Sequence, residues 1–149
     1  MKQVFVDIYS RDIDKLKAEI SVFKDEAHLW QVAGSISNTA GNLCLHLAGN
    51  LCHFIGLHIG KTPYERNREA EFSLKDIPVE TLISKIDHAR AVVIEALEKM
   101  QEEDLEKEFP LEWNGEKKTI GFMLVHLSSH LSYHLGQINY LRRMFEKGA

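Results

Sequence analysis

The sequence predicts an all-α chain folded as a four-helix bundle, and three observations carry that reading. Apolar residues recur at three- and four-residue steps over long stretches, with no convincing strand alternation. Only three prolines, at positions 63, 78 and 110, interrupt the chain, and they fall between the periodic stretches. The 149 residues suit a single domain, residues 1–149, holding four helices of roughly 20 to 27 residues each.

The first helix is expected from Val4 to Lys24, because Tyr9, Ile13, Leu16, Ile20 and Phe23 form one apolar stripe at steps of four and three. A connector, Asp25 to Ser37, carries Trp30 and leads to Ser37 or Asn38 as the cap of the next helix. That second helix should run from Thr39 to Ile59 and stop at Gly60, a C-terminal glycine with Pro63 soon after. Gly41, Gly49 and Gly56 lie inside it. An interior glycine costs up to ~1 kcal/mol relative to alanine, so these positions point to close approach by a neighbour. The linker Lys61 to Ile77 is polar, charge-balanced and read as a loop. Pro78 suits the first turn of a third helix, whose stripe is Leu82, Ile86, Ala89, Val93, Ala96 and Met100. It decays into an acidic stretch ending before Pro110. Trp113-Asn114-Gly115-Glu116 reads as a turn, and Thr119 caps a fourth helix from Ile120 to Glu146.

Composition excludes several function classes. The chain is 44% hydrophobic and 27% charged, as in ordinary globular proteins. Its formal charge is −4, and the segment Glu98 to Glu108, with six acids and two bases, accounts for all of it. The remainder lacks the basic footprint of a nucleic-acid-binding protein. The most apolar segment, Leu43 to Ile59, contains three histidines and is a poor membrane span. The apolar N-terminal run is broken at Asp7, unlike a signal peptide. Cys44 and Cys52 on one helix stand ~12 Å apart, too far for a disulfide. Two buried, reduced thiols in a cytoplasmic protein are expected.

The histidines carry the chemistry. There are eight, and on the fourth helix His126, His130 and His134 follow at steps of four. Each step turns only ~40° and climbs ~6 Å, so neighbouring histidines share a face and can offer two imidazoles to one metal ion. The outer two are ~12 Å apart along the axis, so one pair ligates and the third does something else. Met123, Leu127, His130, His134, Gln137, Leu141 and Met144 keep the spacing of a stripe facing the bundle interior, which selects His130 and His134 and leaves His126 on the flank. A third ligand would come from the second helix, where Leu43, His46, Asn50, His53 and Leu57 share such a stripe. His46 and His53 are ~10.5 Å apart, so at most one of them serves the same ion. Three imidazoles with an open fourth position suit a catalytic divalent ion.

Asn42-Leu43-Cys44-Leu45-His46-Leu47-Ala48-Gly49-Asn50, and the run from His126 through Tyr133-His134-Leu135-Gly136-Gln137-Ile138, resemble the DinB/YfiT-like metalloenzymes of the DinB superfamily. The resemblance spans almost the whole chain and implies a four-helix bundle with a three-histidine metal site. One ligand comes from the second helix and two from an HxxxH followed by Gly-Gln. It places metal-ligand roles on His46, His130 and His134. Three imidazoles suit zinc, nickel, iron and copper alike, and zinc or nickel is the ion expected. Tyr64, Arg66, Arg68 and Glu71 look like the pattern of a subfamily of unassigned function. Family members of known activity include transferases and isomerases that use low-molecular-weight thiols such as bacillithiol or mycothiol.

Three functions compete. A metal-dependent transferase needs groups that orient a small-molecule substrate and a polar thiol cosubstrate, and Arg66, Arg68, Asn50 and Gln137 are the candidates. A metal-dependent hydrolase usually adds a carboxylate base, but none lies within one turn of the histidines, and only Glu71 in the linker remains for that role. A non-enzymatic metal-binding or interaction bundle would leave Trp30, Phe122 and Phe145 for a homodimer face, although plain core is the better reading for any one of them. The reading favours the transferase.

Overall fold

The computed structural model describes residues 1–146, so the last three residues of the expected domain lie outside it. Five helices follow one another: α1 (Lys2–Ser21), α2 (Ala40–Leu51), α3 (Arg68–Ser73), α4 (Val79–Lys99) and α5 (Ile120–Phe145). Among the described residues there is no strand, only two isolated antiparallel bridges, Glu108 with Thr119 and Trp113 with Glu116. The four long helices make the bundle. α1 packs against α4 and α5, and α2 packs against the same two. Consecutive long helices α1 and α2, and likewise α4 and α5, therefore lie across the diagonals, which explains the long connections between them.

The stripe on α1 is buried as its spacing predicts, with Tyr9, Ile13, Leu16 and Ile20 at or near zero exposure. Tyr9 donates its hydroxyl to the Leu124 carbonyl at 2.6 Å, so this core phenol has its polar tip satisfied. α1 stops at Ser21, three residues short of Lys24. The reason is a competing acceptor: the backbone N–H groups of Lys24 and Asp25 donate to the Glu146 carboxylate at the end of α5, at 2.6 and 3.2 Å.

α2 is buried along its whole length, residues 40 to 51. A helix apolar on every side must be covered on every side. α4 and α5 cover two faces, and α3 and the 3-10 turn Glu26–Trp30 cover the rest. The cap is Thr39, not Ser37 or Asn38; its hydroxyl accepts the Asn42 N–H at 3.1 Å. The helix widens at its end into a π turn, Cys52–Leu57, where Gly60 N–H reaches the Ile55 carbonyl at 2.8 Å. The left-handed residue that ends it is Lys61 (φ 59°) rather than Gly60. Gly60 is needed instead for packing, since a Cβ there would lie 2.7 Å from that of Ala96. Gly41 behaves likewise: a Cβ would stand 2.6 Å from the Trp30 indole. Trp30 thus belongs to the covering of α2, not to an exposed face.

The polar linker is not all loop. Asn67 accepts the Ala70 N–H at 3.0 Å and starts α3, which lies on α2. α4 begins after Pro78 and ends at Lys99, and the acidic stretch forms a short 3-10 turn, Glu102–Glu106. Asn114 and Gly115 adopt positive φ (51° and 74°), the turn their identity predicts. Thr119 caps α5 by accepting the Phe122 N–H at 3.1 Å. The buried face of α5 is Met123, Leu124, Leu127, Leu131, Ile138 and Leu141, and Met144 is 56% exposed. The inward stripe is therefore rotated from the predicted one, and His130 and His134 sit half-buried at its edge. Cys44 and Cys52 are free and buried, and burial pushes their thiols up to about 12 and about 11. No helix among the described residues is long and apolar enough to cross a membrane.

Gly41→Ala tests the seat of Trp30. Alanine favours the helix by ~1 kcal/mol, but overpacking against a rigid ring costs ~1–3 kcal/mol. A net loss of about 1 kcal/mol in urea unfolding is expected; a gain in stability would mean that the indole is loosely held.

Candidate metal centre

His46 from α2 meets His130 and His134 from α5, and all three side chains turn one ring nitrogen toward a common point. His46 Nε2 and His134 Nε2 each lie 3.1 Å from His130 Nε2. The ligating atoms of the three fall within 4.8 Å of one another. The rings meet edge-on, with interplanar angles between 78° and 89°.

The outer nitrogens decide which tautomers are present. Glu71 Oε1 lies 3.0 Å from His46 Nδ1, and an ionised carboxylate can only accept, so His46 carries its proton on Nδ1. Gln137 Oε1 lies 2.6 Å from His134 Nδ1 and fixes that ring in the same way. Both rings then present bare Nε2 lone pairs to His130. The third ring has no outer partner: His130 Nδ1 is buried without a hydrogen bond among the described residues.

This donor set fits a divalent ion. Three imidazoles converge, two of them held by outer acceptors of the kind that surround metal-ligating histidines. Bonds of ~2.0 Å in a tetrahedral site put donor nitrogens about 3.3 Å apart, close to the two short separations here. The three histidines could therefore hold one metal ion.

Glu71 organises the surroundings. Its carboxylate receives Arg66 through two hydrogen bonds, Nε to Oε2 and a terminal nitrogen to Oε1, both at 2.9 Å. The pair is nearly enclosed, with side-chain exposures of 11% for Arg66 and 7% for Glu71. Burial alone would raise the Glu71 carboxyl, but the hydrogen bonds from His46 and Arg66 outweigh it and hold the group below the usual range. The carboxylate enters only because residue 49 is glycine. A Cβ at Gly49 would lie 2.0 Å from Glu71 Oε2.

The remaining sequence-predicted residues separate. Asn50, one turn beyond His46, is buried beside the histidines and lines a cleft of about 240 Å³ with Phe54, Arg66, Arg68, Trp113 and His126. Arg66 is committed to Glu71, whereas Arg68 is exposed, rests over the Phe72 ring at 5.3 Å and pairs with no carboxylate among the described residues. Gln137 borders a different hollow, near Ser35 and Tyr140, with its carbonyl taken by His134. His53 stacks edge-on with Phe54 and His58, outside the three-histidine group. His126 lies against Trp113 at 5.0 Å. Sequence reasoning gave Phe54 and Phe72 no role and placed Trp113 only in a turn. It named Glu71 as a possible base and, beside Tyr64, Arg66 and Arg68, as part of a subfamily pattern, and the glycine at 49 hinted at a buried partner.

Burial, reinforced by the neighbouring His134 and His46, pushes His130 down to about 4, and burial also lowers His134. Below pH 6.5 the unfolded chain takes up protons that folded His130 refuses, so the metal-free protein loses stability as pH falls from about 6.5 through about 4. Ring-proton NMR of the metal-free protein should show one histidine titrating near 4; a full set titrating near 6.5 would contradict the buried geometry.

A family model for DUF1572, "Protein of unknown function", matches residues 3–149. A crystal structure of a DinB-like protein from Bacillus cereus ATCC 10987 superposes with a TM-score of 0.74 at 17% identity, over 95% of this chain and 90% of that one. No curated protein matches the sequence. An all-helical bundle superposable on a DinB-like structure, with a family model spanning nearly every residue, identifies the chain as a member of the DUF1572 family with a DinB-like fold.

Proposed function

We propose that this protein binds one divalent metal ion, zinc or nickel, through His46, His130 and His134, and uses it for transfer chemistry with a low-molecular-weight thiol. The observation that carries the metal reading is the convergence of three Nε2 atoms with two tautomers already fixed from outside. A divalent ion bound there would take up a thiol and remove its proton. The chain's own residues do the rest. Glu71 and Gln137 hold the imidazoles in their ligating tautomers, Phe54 and Trp113 wall the cleft against bulk water, and Arg68 stands at its mouth as a free cation.

A specific observation disfavours hydrolysis. That reaction wants a carboxylate free to take a proton from water, and Glu71 is spent on Arg66 and His46. Among the described residues no carboxylate lines the cleft itself. The same contacts divide the two arginines named as orienting groups. Arg66 is a positioning residue that acts through Glu71, and Arg68, which lines the same cleft without a carboxylate partner among the described residues, is left to orient a substrate.

Metal per chain after equal dialysis against trace metal tests the ligand set. His134→Ala should lose most of the ion, and His126→Ala should retain it. Gly49→Ala, which drives Glu71 from its seat, should weaken affinity by about 10- to 100-fold. Equal retention in His134→Ala and His126→Ala would remove His134 from the site. Conjugation of an electrophile only with metal and a small thiol present supports the transferase; ester or amide turnover without thiol would replace it with hydrolysis.

A further inference from the structure

A second cavity, of about 370 Å³, lies between α3 and α4 where both pack on α2, and the metal reading makes no use of it. Its floor is apolar, formed by Leu45 and Ala48 of α2 with Ala70 and Leu74 of α3, and Tyr64 walls one side. Leu74 is 43% exposed, so part of that apolar lining stands open. The rim is polar. Ser84, Lys85 and His88 come from adjacent turns of α4, and all three are exposed. Neither Lys85 nor His88 makes a hydrogen bond or ion pair among the described residues. Glu65 reaches the cavity from the linker but forms no ion pair with Lys85, so the rim cation is left without a counter-charge. The wall toward the metal centre is Gly49 with Glu71, whose carboxylate holds His46 Nδ1 at 3.0 Å.

We propose that this cavity binds a small monocarboxylate with an apolar body, the carboxylate at Lys85 and His88 and the body against Leu45, Ala48 and Leu74. Its volume falls within the ~300–1,000 Å³ of small-molecule sites, and an apolar lining with a few convergent polar groups is the composition such sites share. The floor rewards burial of an apolar body, while an ammonium, a hydroxyl and an imidazole offer donors to an anion. One negative charge is what the rim matches. Lys85 is its one permanent cation, Glu65 repels a second negative charge, and Arg66 already meets the charge of Glu71. Occupancy has a route to the histidines. α3 has six residues, too few to hold itself, and its last turn hangs on α2 through Asn42, whose Nδ2 donates to the Glu71 and Leu74 carbonyls at 3.0 and 2.8 Å. A guest packed on Ala70 and Leu74 restrains the short helix that carries Glu71, and with it the orientation of His46. Ligand and metal then strengthen each other's binding by the same factor. That coupling, unlike the cavity itself, rests on the metal reading above.

Calorimetric titration of the full chain, stripped of metal, with phenylacetate, phenylacetamide, 2-phenylethylamine and acetate separates the contributions. Phenylacetate should bind most tightly, about threefold or more above neutral phenylacetamide, with 2-phenylethylamine weaker still and acetate undetected. Lys85→Met should bring phenylacetate to the affinity of phenylacetamide. Ser84→Trp, which puts an indole into the cavity from an exposed position, should abolish binding of both. Arg68→Met should change neither, as expected of a ligand held away from the histidine cleft. No binding of phenylacetate, equal affinities for the three phenyl compounds, or a loss in Arg68→Met but not in Lys85→Met would overturn the site. Zinc affinity, read by chelator competition, should rise about fivefold or more in saturating phenylacetate for the wild type and stay unchanged for Ser84→Trp. Phenylacetate binding without that rise would overturn the coupling and leave the cavity assignment standing. No zinc binding under either condition would overturn the metal reading, and the affinities of the metal-free chain still decide the cavity.

Discussion

The Glu71 carboxylate is the contact on which the site depends. It is buried, and a buried carboxylate is tolerable only when its lone pairs are filled by donors. Arg66 fills them with two hydrogen bonds and His46 with a third. Each partner gains something different. The linker gains an anchor to α2, Arg66 gains a counter-charge away from water, and His46 is locked with its Nε2 lone pair facing α5. Gly49 makes the arrangement sterically possible, since any side chain there would occupy the place of Oε2.

The bundle supplies the opposite half of the site. α2 and α5 are neighbours across the core, so a histidine on one can face a histidine pair on the other. α5 keeps Leu124, Leu127, Leu131 and Ile138 in the interior and thereby places His130 and His134 at the rim. That position is a compromise between burial and access. It is buried enough to push His130 down to about 4 and keep it neutral, yet it borders a cleft open to a small molecule. The π turn after α2 carries Phe54 to the cleft, with the Arg66 guanidinium 5.7 Å from its ring.

Much of the helical frame was legible because helical periodicity is a local property. The stripe on α1, the Pro78 start of α4, the Asn114-Gly115 turn and the Thr119 cap all depend on residues within a few positions of one another. Errors came where a distant group competed with a local rule. α1 ends early because Glu146, on the far end of the chain, takes the next N–H groups. Met144 follows the heptad-like spacing of the inward stripe yet is exposed, because the true core line on α5 runs through Leu131. α3 escaped notice because six residues cannot show a period, and a helix so short is held by its Asn67 cap and by α2.

The sequence by itself determined the fold class, the i, i+4 pairing of His130 with His134, and the need for close neighbours at Gly41, Gly49 and Gly56. These follow from rotation per residue and from the cost of glycine in a helix. Spacing left His46 and His53 open, because both share one helix stripe and differ solely in what stands opposite; the family resemblance pointed to His46, and the tertiary structure brings His46 to His130 and His134. It also divided Arg66 from Arg68 and drew Glu71 out of a polar linker into contact with His46 on α2. Such choices depend on which side chains meet across the chain's long connections, and spacing along the sequence carries no distance between elements.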